Sequence, residues 1–125
     1  MELTSTSYRV LSLLPFQHTV ILISSEAEWD DIKADLESSS ENWLAGGAAC
    51  VRNRESSSIV CINPTGELHT FVGYIAHEAT HVFQNLCIQA CEPDPSHEFE
   101  AYYIGYITGW LLQETILEFM ENQEI

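Results

Sequence analysis

Residues 67–90 read ELHTFVGYIAHEATHVFQNLCIQA, and this run decides the fold. At about 100° per residue, Phe71, Val72, Ile75, Ala79, Val82, Phe83 and Leu86 fall on one side. Thr70, Tyr74, His77, Glu78, His81, Gln84 and Asn85 fall on the other. The pattern predicts a packed helix from Glu67 to about Ala90 with one polar stripe. His77-Glu78-Ala79-Thr80-His81 stands in the middle of that stripe. Residues four apart on a helix share a face, so both imidazoles can reach one metal ion. Glu78 lies about 100° around from His77, within reach of a water on that ion. This is the residue set of a zinc hydrolase. Five histidines make the bare motif attainable by chance, but its central place on a clean polar stripe argues against accident.

Downstream, Cys91-Glu92-Pro93-Asp94-Pro95 breaks the helix, because two prolines cannot continue it. Ser96 is a suitable N-cap, followed by Glu98 in the first turn. A second helix is expected over His97–Met120, apolar on most sides, with Gly105 and Gly109 spaced to let another element approach its backbone. The tail Glu121–Ile125 is expected to fray. Upstream, Thr19–Ser24 is rich in β-branched residues and reads as a buried strand. Ser25 then caps a helix running to about Leu36 or Glu37. Ser38-Ser39-Ser40 reads as a loop. After the small residues Gly46-Gly47, Ala48–Asn53 and Ser58–Ile62 read as two strands joined by Arg54-Glu55-Ser56-Ser57. Asn63-Pro64-Thr65-Gly66 is a turn. The fold class is α+β: one domain over residues 1–125, a small sheet packed on the motif helix and on the helix that follows it.

Composition narrows the function classes. Four Lys+Arg face 19 Asp+Glu, a formal charge of −15. Arg9, Lys33, Arg52 and Arg54 cannot assemble a basic patch, so direct nucleic-acid binding is disfavoured. The acidic residues are spread along the chain, as on a self-repelling soluble surface; mimicry of nucleic-acid charge toward a basic partner is the sharper alternative. Val10–Ile23 is apolar but broken by Pro15-Phe16-Gln17-His18. It lacks a basic flank, which fits neither a signal peptide nor a membrane span. Cys50, Cys61, Cys87 and Cys91 form no Cys-x-x-Cys pair and read as buried thiols. A Cys50–Cys61 bridge across the hairpin is an open alternative. His18 and His69 read as surface or groove residues, and His97 as an ordinary first-turn residue.

Catalytic zinc usually takes three protein ligands. Glu100, 19 residues after His81 and one turn into the second helix, is the leading candidate for the third, with Glu98 in reserve. A di-iron site is disfavoured, since Glu78-x-x-His81 has no second Glu-x-x-His.

His77-Glu78-x-x-His81 followed by Glu100-Ala101 on a second helix resembles the gluzincin metallopeptidases. Residues 67–113 also resemble small phage-encoded zincin-like proteins. The resemblance covers about residues 67–113, within the metal-site portion 46–125; residues 1–45 carry no matched motif. It implies Zn2+ held by His77, His81 and Glu100. It also implies Glu78 as the base toward a zinc-activated water that attacks a peptide carbonyl. The strand Ala48–Asn53 would then flank the site and pair with an extended peptide. Where some gluzincins place a supporting Asp, four residues past the ligand Glu, this chain has Ile104. Support for the ligands would come from Tyr103 or a backbone carbonyl, and Tyr103 or Tyr74 would stabilise the oxyanion. The implied partner is a peptide or protein substrate, and the implied compartment is the cytoplasm of an infected bacterial host. A catalytically inactive zincin-like binding protein that docks on a basic host partner is the alternative.

Overall fold

The computed structural model describes residues 8–32, 48–53 and 56–123. The expected end of the first helix near Leu36, the Ser38-Ser39-Ser40 loop, Gly46-Gly47 and the Arg54-Glu55 part of the hairpin loop lie outside the described residues. The elements run β1 (Arg9–Leu13), β2 (His18–Ile23), α1 (Glu26–Ile32), β3 (Ala48–Asn53), β4 (Ser57–Ile62), α2 (Leu68–Gln89) and α3 (His97–Glu121). The class is α+β, as expected.

The four strands form one sheet in the order β1-β2-β4-β3. β1 and β2 pair antiparallel, β2 and β4 parallel, and β4 and β3 antiparallel. The parallel pair requires a crossover, and α1 and β3 lie within it. β1 was not expected. Pro15-Phe16-Gln17-His18 does not merely interrupt an apolar stretch. Leu14–Gln17 form a turn, with Gln17 at φ 58, that folds Arg9–Leu13 back onto β2.

Alternation along the strands sorts the core into two clusters. Val20, Leu22, Val60 and Ile62 face α2 and α3, together with Leu11 and Leu13. Ile21, Ile23, Ile59 and Cys61 face α1, where they pack on Trp29 and Ile32. Both faces of the central strands are therefore covered, which is why β2 and β4 read as unbroken apolar runs rather than alternating ones. Ser25 caps α1 by accepting from the Glu28 N–H at 3.2 Å.

α2 and α3 form an antiparallel hairpin. Ser96 caps α3, its hydroxyl accepting from the Phe99 N–H at 3.2 Å. Phe71 stacks on Phe119 at one end, with ring centroids 4.3 Å apart, and Phe83 meets Phe99 at the other, at 5.5 Å. Ile75, Ala79, Val82, Ile107 and Leu111 fill the space between them and the sheet. Each such buried isoleucine, leucine or valine stabilises the fold by roughly 1.5–3 kcal/mol. Gly105 and Gly109 do not mark a close approach: a Cβ at either would meet nothing within 4 Å. The start of the tail is held rather than frayed. The Asn122 side chain donates to the Pro64 carbonyl and that of Gln123 to the Gly66 carbonyl. Arg9 ties β1 to both layers, donating to Glu118 and Ser24 and lying 3.8 Å from Glu28.

Candidate metal centre

The packing of α2 fixes what its polar stripe presents. Phe71, Ile75, Ala79, Val82 and Leu86 are buried, so the helix cannot rotate without exposing them. That leaves His77 and His81 open to solvent and tucks Glu78 against the sheet, 4% exposed. The two imidazole Nε2 atoms lie 3.2 Å apart. A tetrahedral zinc with nitrogen ligands at about 2.0–2.1 Å would hold them roughly 3.3 Å apart. The i, i+4 spacing therefore brings the pair to the separation one ion requires. The donor atoms of His77, Glu78 and His81 all lie within 4.8 Å of one another. Among the described residues no other three such side chains converge in this way.

His81 is oriented. Its Nδ1–H donates to the Gln84 side-chain oxygen at 2.9 Å. This leaves the Nε2 lone pair facing His77, the tautomer a metal ligand needs. Gln84 was read as part of the polar stripe without a role. Its position three residues after His81, one turn on, was the available signal.

Burial pushes the Glu78 carboxyl above its ordinary value, and the neighbouring His77 and His81 draw it back down. The charge of the carboxylate also bears on the thiols of Cys50 and Cys61. Burial pushes both thiols up to about 12, with Glu78 adding to the effect. No bridge joins these two cysteines: Cys61 pairs with Ala49 and Cys50 with Val60, so they point to opposite faces of the sheet. Cys91, read as buried, is exposed.

Neither Glu100 nor Tyr103 is brought to the histidine pair. Phe83 packs on Phe99 and so marks the α3-facing side of α2. His81 is two residues from Phe83, about 160° around the helix. Glu100, next to Phe99, instead lines a groove with Phe83, Gln84 and Cys87. Glu98 is likewise not part of the histidine group. The Tyr103 hydroxyl donates to the Leu14 carbonyl at 3.4 Å, and its ring packs on Phe16 and Phe99 at the β1–β2 turn. Tyr74 is the tyrosine beside the pair, lining a hollow with Ala48, Thr70, Gly73, His77 and Glu78. Ala48 opens β3, an edge strand with no neighbour on its outer side among the described residues.

His18 is not a surface residue but fully buried. Its Nε2 bonds the Ser58 hydroxyl at 2.8 Å and its Nδ1 the Gln89 side-chain oxygen. Asn85 donates to the same Ser58 oxygen at 2.9 Å, and Gln89 to the Phe16 carbonyl. This chain of polar contacts fixes the second half of α2 to β2 and β4, just beyond the histidine pair. His69 is exposed, as expected, and lies 3.4 Å from Glu67. No described helix is long and apolar enough to cross a membrane.

Comparison with known proteins adds nothing to the site: no family model, curated protein or solved structure matches the chain.

Proposed function

We propose that this chain is a zinc-dependent, peptidase-like hydrolase of minimal zincin type, with His77 and His81 as metal ligands and Glu78 as the proton carrier. The 3.2 Å separation of the two Nε2 atoms, with the Gln84 oxygen orienting His81, carries this reading. Bound zinc would supply Lewis-acid polarisation of a carbonyl and a water acidic enough to react near neutral pH.

The chain's own groups account for the rest. Glu78 is nearly excluded from solvent, which favours its neutral form, and it sits beside two imidazoles that favour the charged one. A carboxyl balanced in this way can take a proton at one oxygen and release it to a leaving amine. Tyr74, which lines the hollow beside the pair, would donate its hydroxyl to developing negative charge. The outer edge of β3, unpaired among the described residues, offers backbone partners to an extended peptide, and the small side chain of Ala48 lines the hollow with His77. Glu100 lines the groove with Cys87 and is not part of the histidine group, so this reading gives it no ligand role.

One observation favours a second reading. The Glu78 carboxylate is close enough to both imidazoles to complete the metal's ligand set itself. The site would then have no base, and the protein would be a metal-stabilised acidic module, with a charge of −15, docking on a basic protein partner. Glu78→Gln separates the two. In the hydrolase, the variant keeps its zinc and loses at least about a hundredfold in peptide hydrolysis. In the binding module, the variant loses affinity for zinc and there is no hydrolysis to lose. Hydrolysis that survives Glu78→Gln contradicts the proposed mechanism.

A further inference from the structure

We propose that the groove where α2 turns into α3 binds a basic side chain, arginine or lysine, of a peptide lying across the histidine pair. Calling that peptide a substrate rests on the hydrolase reading; the groove's preference for a cation with an apolar stem does not.

The groove encloses about 590 Å³, within the size range of ligand clefts. It adjoins the histidine pair directly, because Gln84 lines it and also holds His81. On the other side of the pair lies the hollow of Tyr74 and Ala48, so a peptide running along α2 would meet both. Phe83, Ile88, Pro93 and Pro95 give the groove apolar walls. Glu92 and Glu100 add two carboxylates, one from each side of the turn. Both bear on the Cys87 thiol, which burial and these two charges push up, so they converge on one region of the groove.

No described lysine or arginine answers them. Arg9, the one such side chain described, is engaged with Glu118 and Glu28. The C-terminus of α2 and the N-terminus of α3 meet here with opposed dipoles, which leaves the carboxylates to set the sign. A metal ion is a poor occupant, since Cys87, Cys91, Glu92 and Glu100 provide no converging set of three donors. A long apolar stem ending in a positive charge matches both the walls and the carboxylates.

The test uses capped peptides Ala-Ala-X-Ala-Ala, with X as arginine, lysine or norleucine, titrated into the 125-residue Glu78→Gln chain so that no turnover intervenes. The titration is run on zinc-loaded and on chelator-treated protein. The arginine and lysine peptides should bind about threefold more tightly than the norleucine peptide, the scale of two exposed charge pairs. Glu92→Gln with Glu100→Gln should abolish the difference. Glu26→Gln with Glu121→Gln, which removes the same charge from exposed positions elsewhere, should leave it intact. Equal binding of all three peptides, or no measurable binding, overturns the proposal. So does a preference that persists in the Glu92/Glu100 variant. If the protein takes up no zinc but the preference is present after chelation, the hydrolase reading fails and the groove assignment stands. If zinc binds and no preference appears, the reverse holds.

Discussion

Replacing Gln84 tests whether the histidine pair is organised for a metal. Its side-chain oxygen is the acceptor for the His81 Nδ1–H, at 2.9 Å. Gln84→Ala removes that acceptor, so the ring is free to rotate and to place its proton on Nε2, where the metal lone pair should be. Losing such an orienting partner typically costs 10–100-fold in metal affinity, or about 1.4–2.8 kcal/mol. The fold should not register the change. Gln84 is exposed on α2, packs in neither core cluster, and alanine is the better helix former. A zinc titration against a chromophoric chelator should show the affinity loss, while urea unfolding of the zinc-free protein moves by no more than about 0.5 kcal/mol. Gln84→Glu keeps an acceptor at the same place and should restore affinity. Unchanged zinc affinity in Gln84→Ala would refute the reasoning, because His81 would then not depend on the contact that defines its tautomer.

Ser58→Ala should destabilise the fold by about 1–3 kcal/mol in urea unfolding, because it leaves buried His18 Nε2 and the Asn85 amide without their shared partner. Alkylation with iodoacetamide should modify exposed Cys91 first and Cys50 and Cys61 last, all four being free thiols. The thiols of Cys50 and Cys61 also set a pH dependence. Their folded values lie above the ordinary 9.0, so their contribution to stability is complete below pH 9 and is lost as pH rises toward 12. Urea midpoints at pH 8 and pH 10.5 should differ in that direction, and less so in Cys50→Ala. Tyr103→Phe should leave hydrolysis unchanged, since its hydroxyl bonds Leu14, whereas Tyr74→Phe should lower kcat about tenfold or more.

Much of this architecture was legible because it rests on local rules. The period of residues 67–90 fixed the length and buried face of α2, and Ser96 after two prolines fixed the start of α3. What escaped was set by tertiary geometry. Spacing placed Glu100 one turn into α3, but the rotation of α3 about α2 depends on Phe83 meeting Phe99. That contact turns Glu100 toward Cys87. Cys50 and Cys61 looked like neighbours across a hairpin until the register, shifted by one residue, sent them to opposite faces. β1 was hidden because Pro15 read as a break rather than as the corner of a hairpin. His18 is buried through three partners distant in sequence, Ser58, Gln89 and, through Ser58, Asn85. No local pattern announces such a contact.

The central claim is that His77 and His81 hold one zinc without Glu78 as a ligand. Equilibrium dialysis against zinc followed by elemental analysis tests it directly. The account predicts about one zinc per chain in the native protein and in Glu78→Gln, and none in His81→Ala. A native chain with no stoichiometric zinc, or a Glu78→Gln chain that loses it, would contradict the account.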